Sequence, residues 1–231
     1  MMVRLLRSLR NTGVRGTVES CLAVLEDGAF DVRNRTDTHR TIDLSDLAIP
    51  EPNKLPGYRY EASRARALRS VLSTCEFPPA SVFVDLGCGK GRAMLVASQF
   101  AFKRVVGVEV SRELCDIAAA NVRTYRKRHR DAAPVDIIEA DAVGYEVKPD
   151  ENVFYLFNPF GRDMLRQVVR NISSSVASHR RPVWIIYNDP RCAGEIESSG
   201  AFVHLRTVTY GANTFAVYAS RTAEPGTTDA H

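Results

Sequence analysis

The stretch Val82-Phe-Val-Asp-Leu-Gly-Cys-Gly-Lys-Gly-Arg-Ala-Met-Leu-Val-Ala-Ser98 decides the fold. A short apolar run ends in Asp85, glycines alternate at Gly87, Gly89 and Gly91, and an apolar segment of helical character begins at once. The order is strand, tight turn, helix. Glycines are required where a backbone takes positive φ or approaches a ligand, so the turn predicts the floor of a small-molecule site.

A second strand-like run follows from Arg104 to Val110 and carries Glu109 near its end, and Ser111 opens another helical pattern. In an open parallel α/β sheet the carboxyl ends of neighbouring strands share one crevice, which brings Asp85 and Glu109 to the same side. A carboxylate at the second strand end can accept both hydroxyls of a ribose, so the unit reads as a nucleoside-cofactor site. A phosphate-binding P-loop is excluded, because Gly91 rather than Ser or Thr follows Lys90. The turn is also one residue short of the Gly-x-Gly-x-x-Gly of a dinucleotide site. A cofactor without phosphate, carrying a cationic sulfonium and an amino-acid end, suits acids at several strand ends better.

On the Asp85-Leu-Gly-Cys-Gly-Lys-Gly91 motif the chain resembles the class I, seven-strand S-adenosylmethionine-dependent methyltransferases, over roughly Ala62 to Ser220. The resemblance implies a doubly wound, mostly parallel seven-stranded α/β sheet with a C-terminal antiparallel hairpin. It also implies S-adenosylmethionine as cofactor. Asp85 would then sit near the methionyl ammonium, and the backbone of Gly87, Gly89 and Gly91 would line the methionyl and ribose portions. Glu109 would hold the ribose diol and Val110 would pack on the adenine. Asp141 would accept from the adenine amino group while the N–H of Ala142 donates to a ring nitrogen.

The fourth strand-like run ends in Phe157-Asn158-Pro159-Phe160-Gly161. This is similar to the Asn-Pro-Pro-aromatic motif of amino-group methyltransferases, with one proline missing. The resemblance makes Asn158 and Phe160 the residues that meet the acceptor, with Asn158 also bordering the cofactor. A looser similarity, to the non-SET lysine methyltransferases of the disruptor-of-telomeric-silencing type, rests on Asp85–Arg92, Asn158–Gly161 and Gly57-Tyr-Arg-Tyr-Glu-Ala-Ser63. It implies that Tyr60 to Ser63 folds over the cofactor. Transfer to nitrogen is the expected reaction, with the acceptor open among protein side chain, small amine and nucleic acid. A nicotinamide-dependent oxidoreductase and a non-catalytic binding module are the alternatives.

The rest of the chain fits one α/β domain. At 231 residues and 45% hydrophobic it can bury one full core, and its net charge of +4 permits an acidic partner without demanding one. Five cysteines are scattered without metal-ligand spacing, no metal constellation stands out, and no run has the length of a membrane span. These features predict a cytoplasmic protein. Residues 1–61 read as a helical extension and arm, pinned by Ile42, Leu44, Leu47 and Ile49; residues 62–221 read as the catalytic domain, and 222–231 as a disordered tail. Two short helices are predicted between Val3 and Leu25, a strand from Pro182 to Tyr187, a helix from Ala62 to Ser73 and another from Arg112 to about Lys127. The latter ends in the basic cluster Arg123–Arg130, a solvated helix C-terminus that also offers a nucleic-acid contact.

Overall fold

The computed structural model describes residue 25 and residues 28–43, 47–49, 59–157, 161–210 and 213–221. Helix α1 covers residues 28–34, and a two-stranded antiparallel ribbon pairs β1 (Ile42–Asp43) with β2 (Arg59–Tyr60). The main body then runs α2 (Ala65–Ser73), β3 (Val82–Leu86), α3 (Arg92–Ala97), β4 (Arg104–Glu109), α4 (Arg112–Arg126) and β5 (Val135–Glu139). It continues through β6 (Val153–Phe157), α5 (Arg162–Ser178), β7 (Trp184–Asn188), α6 (Gly194–Glu197), β8 (Phe202–Tyr210) and β9 (Asn213–Ser220).

Seven strands form one sheet in the order β5-β4-β3-β6-β7-β9-β8. The first five in that order are mutually parallel, β9 is antiparallel to β7, and β8 is antiparallel to β9. The expected fold class is therefore the observed one. Its central strands read as unbroken apolar runs because both faces are covered. Val82, Val84 and Leu86 of β3 pack with α5 through Leu165, Val168 and Ile172 on one face. Phe83 and Tyr155 pack with α2 and α3 through Leu68, Val71, Met94 and Ala97 on the other.

That alternation places the polar residues. Asp85 follows Phe83 by two positions, Glu109 follows Val105 by four, and Asn188 follows Ile186 by two, so all three share the α2/α3 face with Tyr155. Helix α4 begins where the Ser111 hydroxyl accepts the Leu114 N–H at 3.3 Å. Glu113 stands in its first turn and Arg123 and Arg126 in its last, each sign matched to the helix dipole.

Two sequence-based boundaries are corrected. Helix α2 starts at Ala65 rather than Ala62, because Arg64 is extended and Ser63 is engaged in the core by the Tyr155 hydroxyl. Strand β7 starts at Trp184 rather than Pro182; proline has no N–H to give a ladder. Short helix α6 was not foreseen, four residues being too few for a periodic signal. Leu47 and Ile49 do pin the arm, packing with Leu114, Ile42 and Val110, whereas Leu44 lies outside the described residues. The helices expected between Val3 and Leu25 and the tail from Thr222 also fall outside them, Leu25 apart.

Candidate functional site

The glycine turn joins β3 to α3 at the carboxyl end of the sheet. The N–H groups of Gly87 and Cys88 both donate to the Val108 carbonyl, at 2.8 and 3.0 Å, which ties the turn to β4. Gly87, Gly89 and Gly91 have φ of +86°, +54° and +89°, in the left-handed region. Gly89 has a second reason to be glycine, since a Cβ there would overlap the Tyr60 ring. The turn thus has a roof as well as a floor. The Tyr60 hydroxyl donates to the Thr38 carbonyl at 2.8 Å, fixing the ring over the turn.

Glu109 is built into this turn. One carboxylate oxygen accepts the Gly89 N–H and the other the Ser111 N–H, each at 2.9 Å. Every carboxylate oxygen has a further lone pair, so Glu109 keeps the capacity to accept from a diol. Asp85 stands one strand over and is 3% exposed. Its pKa is pushed well above the usual carboxylate range, first by burial and then by the nearby Glu109 charge. Burial also raises Glu109, against the opposing hydrogen bonds from Ser111 and Gly89. Two carboxyl groups are therefore enclosed together, and among the described residues no hydrogen bond stabilises the ionised form of Asp85.

Sequence reading missed the chain of contacts that holds the arm against the turn. Arg92 is 1% exposed; its Nε donates to the Thr38 hydroxyl, its Nη2 lies 3.3 Å from Asp31, and its guanidinium stands 4.8 Å from the Phe30 ring centre. Asp31 accepts as well from the Thr36 hydroxyl, the backbone and hydroxyl of Thr38, and the backbone N–H of His39, with His39 Nδ1 2.7 Å away. Burial pushes the Asp31 pKa up, but the hydrogen bonds from Thr38, Thr36 and His39, aided by Arg92, outweigh it and leave the carboxyl below its ordinary value. Lys90, also 1% exposed, has Nζ 3.3 Å from Asp37. Asn121 closes the set: it accepts the Asp37 N–H and donates to the carbonyls of Asp37 and Lys90. The basic residues inside the glycine motif were the available signal, because a lysine and an arginine in a buried turn need partners.

The remaining predicted residues are placed as follows. Ser63 is buried and accepts from the Tyr155 hydroxyl at 2.8 Å. Val110 packs beside Leu47 and Ile49. Asp141 and Ala142 follow β5 at the same end of the sheet, and one Asp141 oxygen accepts the Val143 N–H at 2.9 Å, as a loop-capping acid does. Asn158 and Phe160 lie outside the described residues. The basic cluster is used partly within the fold. Arg128 donates to the Arg33 carbonyl, and His129 bonds Asn34 at 2.9 Å while stacking on Tyr125 with ring centres 4.1 Å apart. Among the described residues no helix is long and apolar enough to cross a membrane.

A family model described as histone methylation protein DOT1 matches residues 47–132. Among curated proteins, the H3 lysine-79-specific histone-lysine N-methyltransferase of Dictyostelium discoideum is 33% identical over 95 residues, covering 37% of this chain. The match covers only 5% of that protein's length. A SAM-dependent methyltransferase from Aquifex aeolicus superposes with a TM-score of 0.52 at 14% identity, over 66% of this chain and 88% of its own. The B. subtilis tRNA methyltransferase TrmK gives 0.52 at 12% identity, over 67% and 65%. At such identities the solved structures speak for the sheet architecture alone, while the match over 47–132 takes in the glycine turn, Glu109 and helix α4.

Proposed function

We propose that this chain, a class I S-adenosylmethionine-dependent methyltransferase by its fold and its cofactor motif, transfers the methyl group to a nitrogen acceptor presented at the end of β6. The observation that carries the reading is the pair Asp85 and Glu109, enclosed at the ends of adjacent parallel strands above a turn of left-handed glycines. Two buried carboxyls repel a phosphate, which argues against a nicotinamide dinucleotide. They suit a ligand that carries an ammonium and a ribose diol.

The residues fit S-adenosylmethionine, which when bound supplies an electrophilic methyl on a positively charged sulfur. Asp85 takes the methionyl ammonium and Glu109, already fixed by Gly89 and Ser111, takes the ribose hydroxyls. The backbone of Gly87, Gly89 and Gly91 gives close approach. Val110, Asp141 and Ala142 surround the adenine, and Tyr60 with Ser63 covers the site from the arm side. Residues 1–61 then act as extension and lid, and residues 62–221 as the catalytic domain. Displacement at a methyl group needs an in-line nucleophile at near-attack distance more than it needs acid–base help, so excluding water and orienting the acceptor are the protein's main tasks.

Nitrogen is favoured by Asn158-Pro159-Phe160, which continues directly from Phe157, the last residue of β6. The relative named for lysine methylation supports an amine. The family match ends at residue 132, ahead of that stretch, so the acceptor is proposed as a class and not as a particular protein. The test is transfer of labelled methyl from S-adenosylmethionine to a panel of amines, proteins and nucleic acids, followed by Asn158→Ala. An amide oxygen stabilises positive charge developing on nitrogen, so Asn158→Ala should lower the single-turnover rate roughly 10²-fold or more while cofactor affinity changes much less. A preserved rate with collapsed cofactor binding would move Asn158 to the cofactor.

A further inference from the structure

Asn188 ends β7 and is 1% exposed, yet its side chain is only half used. Its Nδ2 donates to the Tyr155 hydroxyl at 3.1 Å, and that hydroxyl donates to Ser63 at 2.8 Å. Asn188 Oδ1 has no hydrogen-bond partner among the described residues. A buried acceptor left open carries its desolvation penalty uncompensated, and native interiors keep few such atoms. The direction of the chain makes this end specific. Tyr155 has one proton, and Ser63 receives it, so Asn188 Oδ1 is the open acceptor and can be satisfied only by a donor from elsewhere.

Its place in the sheet says what that donor is. The strand order β4-β3-β6-β7 sets Glu109, Asp85, Tyr155 and Asn188 in a row on one face, with Asp85 paired in register to Tyr155. Three strand spacings of about 4.8 Å separate the first from the last, roughly 14 Å. A cofactor seated on the acids of β4 and β3 leaves the end of β7 to the second substrate. Asn188 is also in register with Phe157, from which Asn158-Pro159-Phe160 continues. A neutral amide oxygen suits a nucleophilic amine: it accepts an N–H without a full negative charge that would hold the amine as ammonium and occupy its lone pair.

We infer that Asn188 Oδ1 accepts an N–H from the methyl acceptor and that the Asn188–Tyr155–Ser63 chain holds this oxygen in position, an inference that rests on the methyltransferase reading above. Asn188 would thus select acceptors that carry an N–H from the side of β7, opposite the cofactor acids.

The test separates the two readings. Calorimetry with S-adenosylhomocysteine on the full chain comes first, and absence of binding overturns the cofactor reading and this inference with it. The ¹⁵N-labelled complex is then titrated with n-butylamine, a minimal amine, while the Asn188 side-chain amide signal is followed; Asn188→Leu identifies that signal by its loss. The expected result is a saturable shift, at least tenfold weaker n-butylamine binding in Asn188→Leu, and an unchanged dissociation constant for S-adenosylhomocysteine within twofold. Asn188→Asp keeps an acceptor oxygen but gives up the Nδ2 donor to Tyr155, so it should bind n-butylamine more tightly than Asn188→Leu does, which guards against a fault of folding in the leucine variant. A signal that stays still on titration overturns the inference while leaving the cofactor reading intact. So does equal n-butylamine binding in wild type and Asn188→Leu, or a tenfold loss of S-adenosylhomocysteine affinity in Asn188→Leu.

Discussion

Gly89 and Asp85 show how much one position can decide. Gly89 combines a φ of +54° with a ring packed where a Cβ would stand, so Gly89→Val is strained in its backbone and displaces Tyr60 as well. Cofactor binding should be lost in calorimetry from a protein that still shows its far-ultraviolet circular dichroism. Asp85 gives a pH signature. Its folded pKa lies above the unfolded value of about 3.9, so its contribution to the stability of the ligand-free protein is present at low pH and is lost as pH rises through the folded pKa. An ammonium beside it favours the ionised form. Binding should therefore release a proton, and S-adenosylmethionine affinity should rise with pH through this window and level off above it. Calorimetry in two buffers of different ionisation enthalpy measures the proton; no release would remove the ammonium from Asp85.

At the scale of elements, the contact between the arm and the turn between β3 and α3 is where stability and site meet. The arm brings Asp31 and Asp37 to Arg92 and Lys90, both buried where the glycine turn meets α3. Asp31→Asn removes the carboxylate charge beside the buried Arg92 guanidinium and should destabilise the protein by roughly 1.5–3 kcal/mol, the scale of a hydrogen bond to a charged group. Urea denaturation reads the loss. Hydrogen exchange should speed up at Thr38 and His39, whose N–H groups donate to Asp31. Because the folded Asp31 pKa is depressed, this stabilisation is fully present above the unfolded value and fades only as pH falls through the folded one. The arm should accordingly stay docked at neutral and mildly acidic pH. Exchange at Thr38 that is equal in wild type and Asp31→Asn would show that the ion pair does not hold the arm.

For the whole molecule the prediction concerns linkage. A ligand that binds only the folded state raises stability by about 2.7 kcal/mol at one hundred times its dissociation constant. S-adenosylmethionine at that excess should raise the melting temperature by several degrees and NAD at equal concentration should not. The opposite ranking would restore the oxidoreductase alternative. The sheet order makes the expected outcome specific, because it gathers the ends of β4, β3, β6 and β7 along one edge of a single core instead of dividing them between domains.

What the amino-acid sequence determined by itself was the sheet and the gathering of Asp85, Glu109 and the glycine turn at one end of it. Local signals carry both: apolar runs for strands covered on two faces, acids at their ends, and glycines at spacings that only a tight turn requires. Asp85, Glu109 and the hairpin of β8 and β9 were legible for that reason. What only the tertiary structure decided lies between segments far apart in the chain. Arg92 and Asp31 meet across 61 positions, and Tyr155 reaches Ser63 across 92. Neither residue of such a pair has a periodicity that announces the other; a buried polar atom acquires its partner only when packing brings the partner near. The same holds for Asn188, which in sequence is an ordinary strand-ending amide. Its open oxygen arises because the fold removes that atom from water while no described residue supplies a donor.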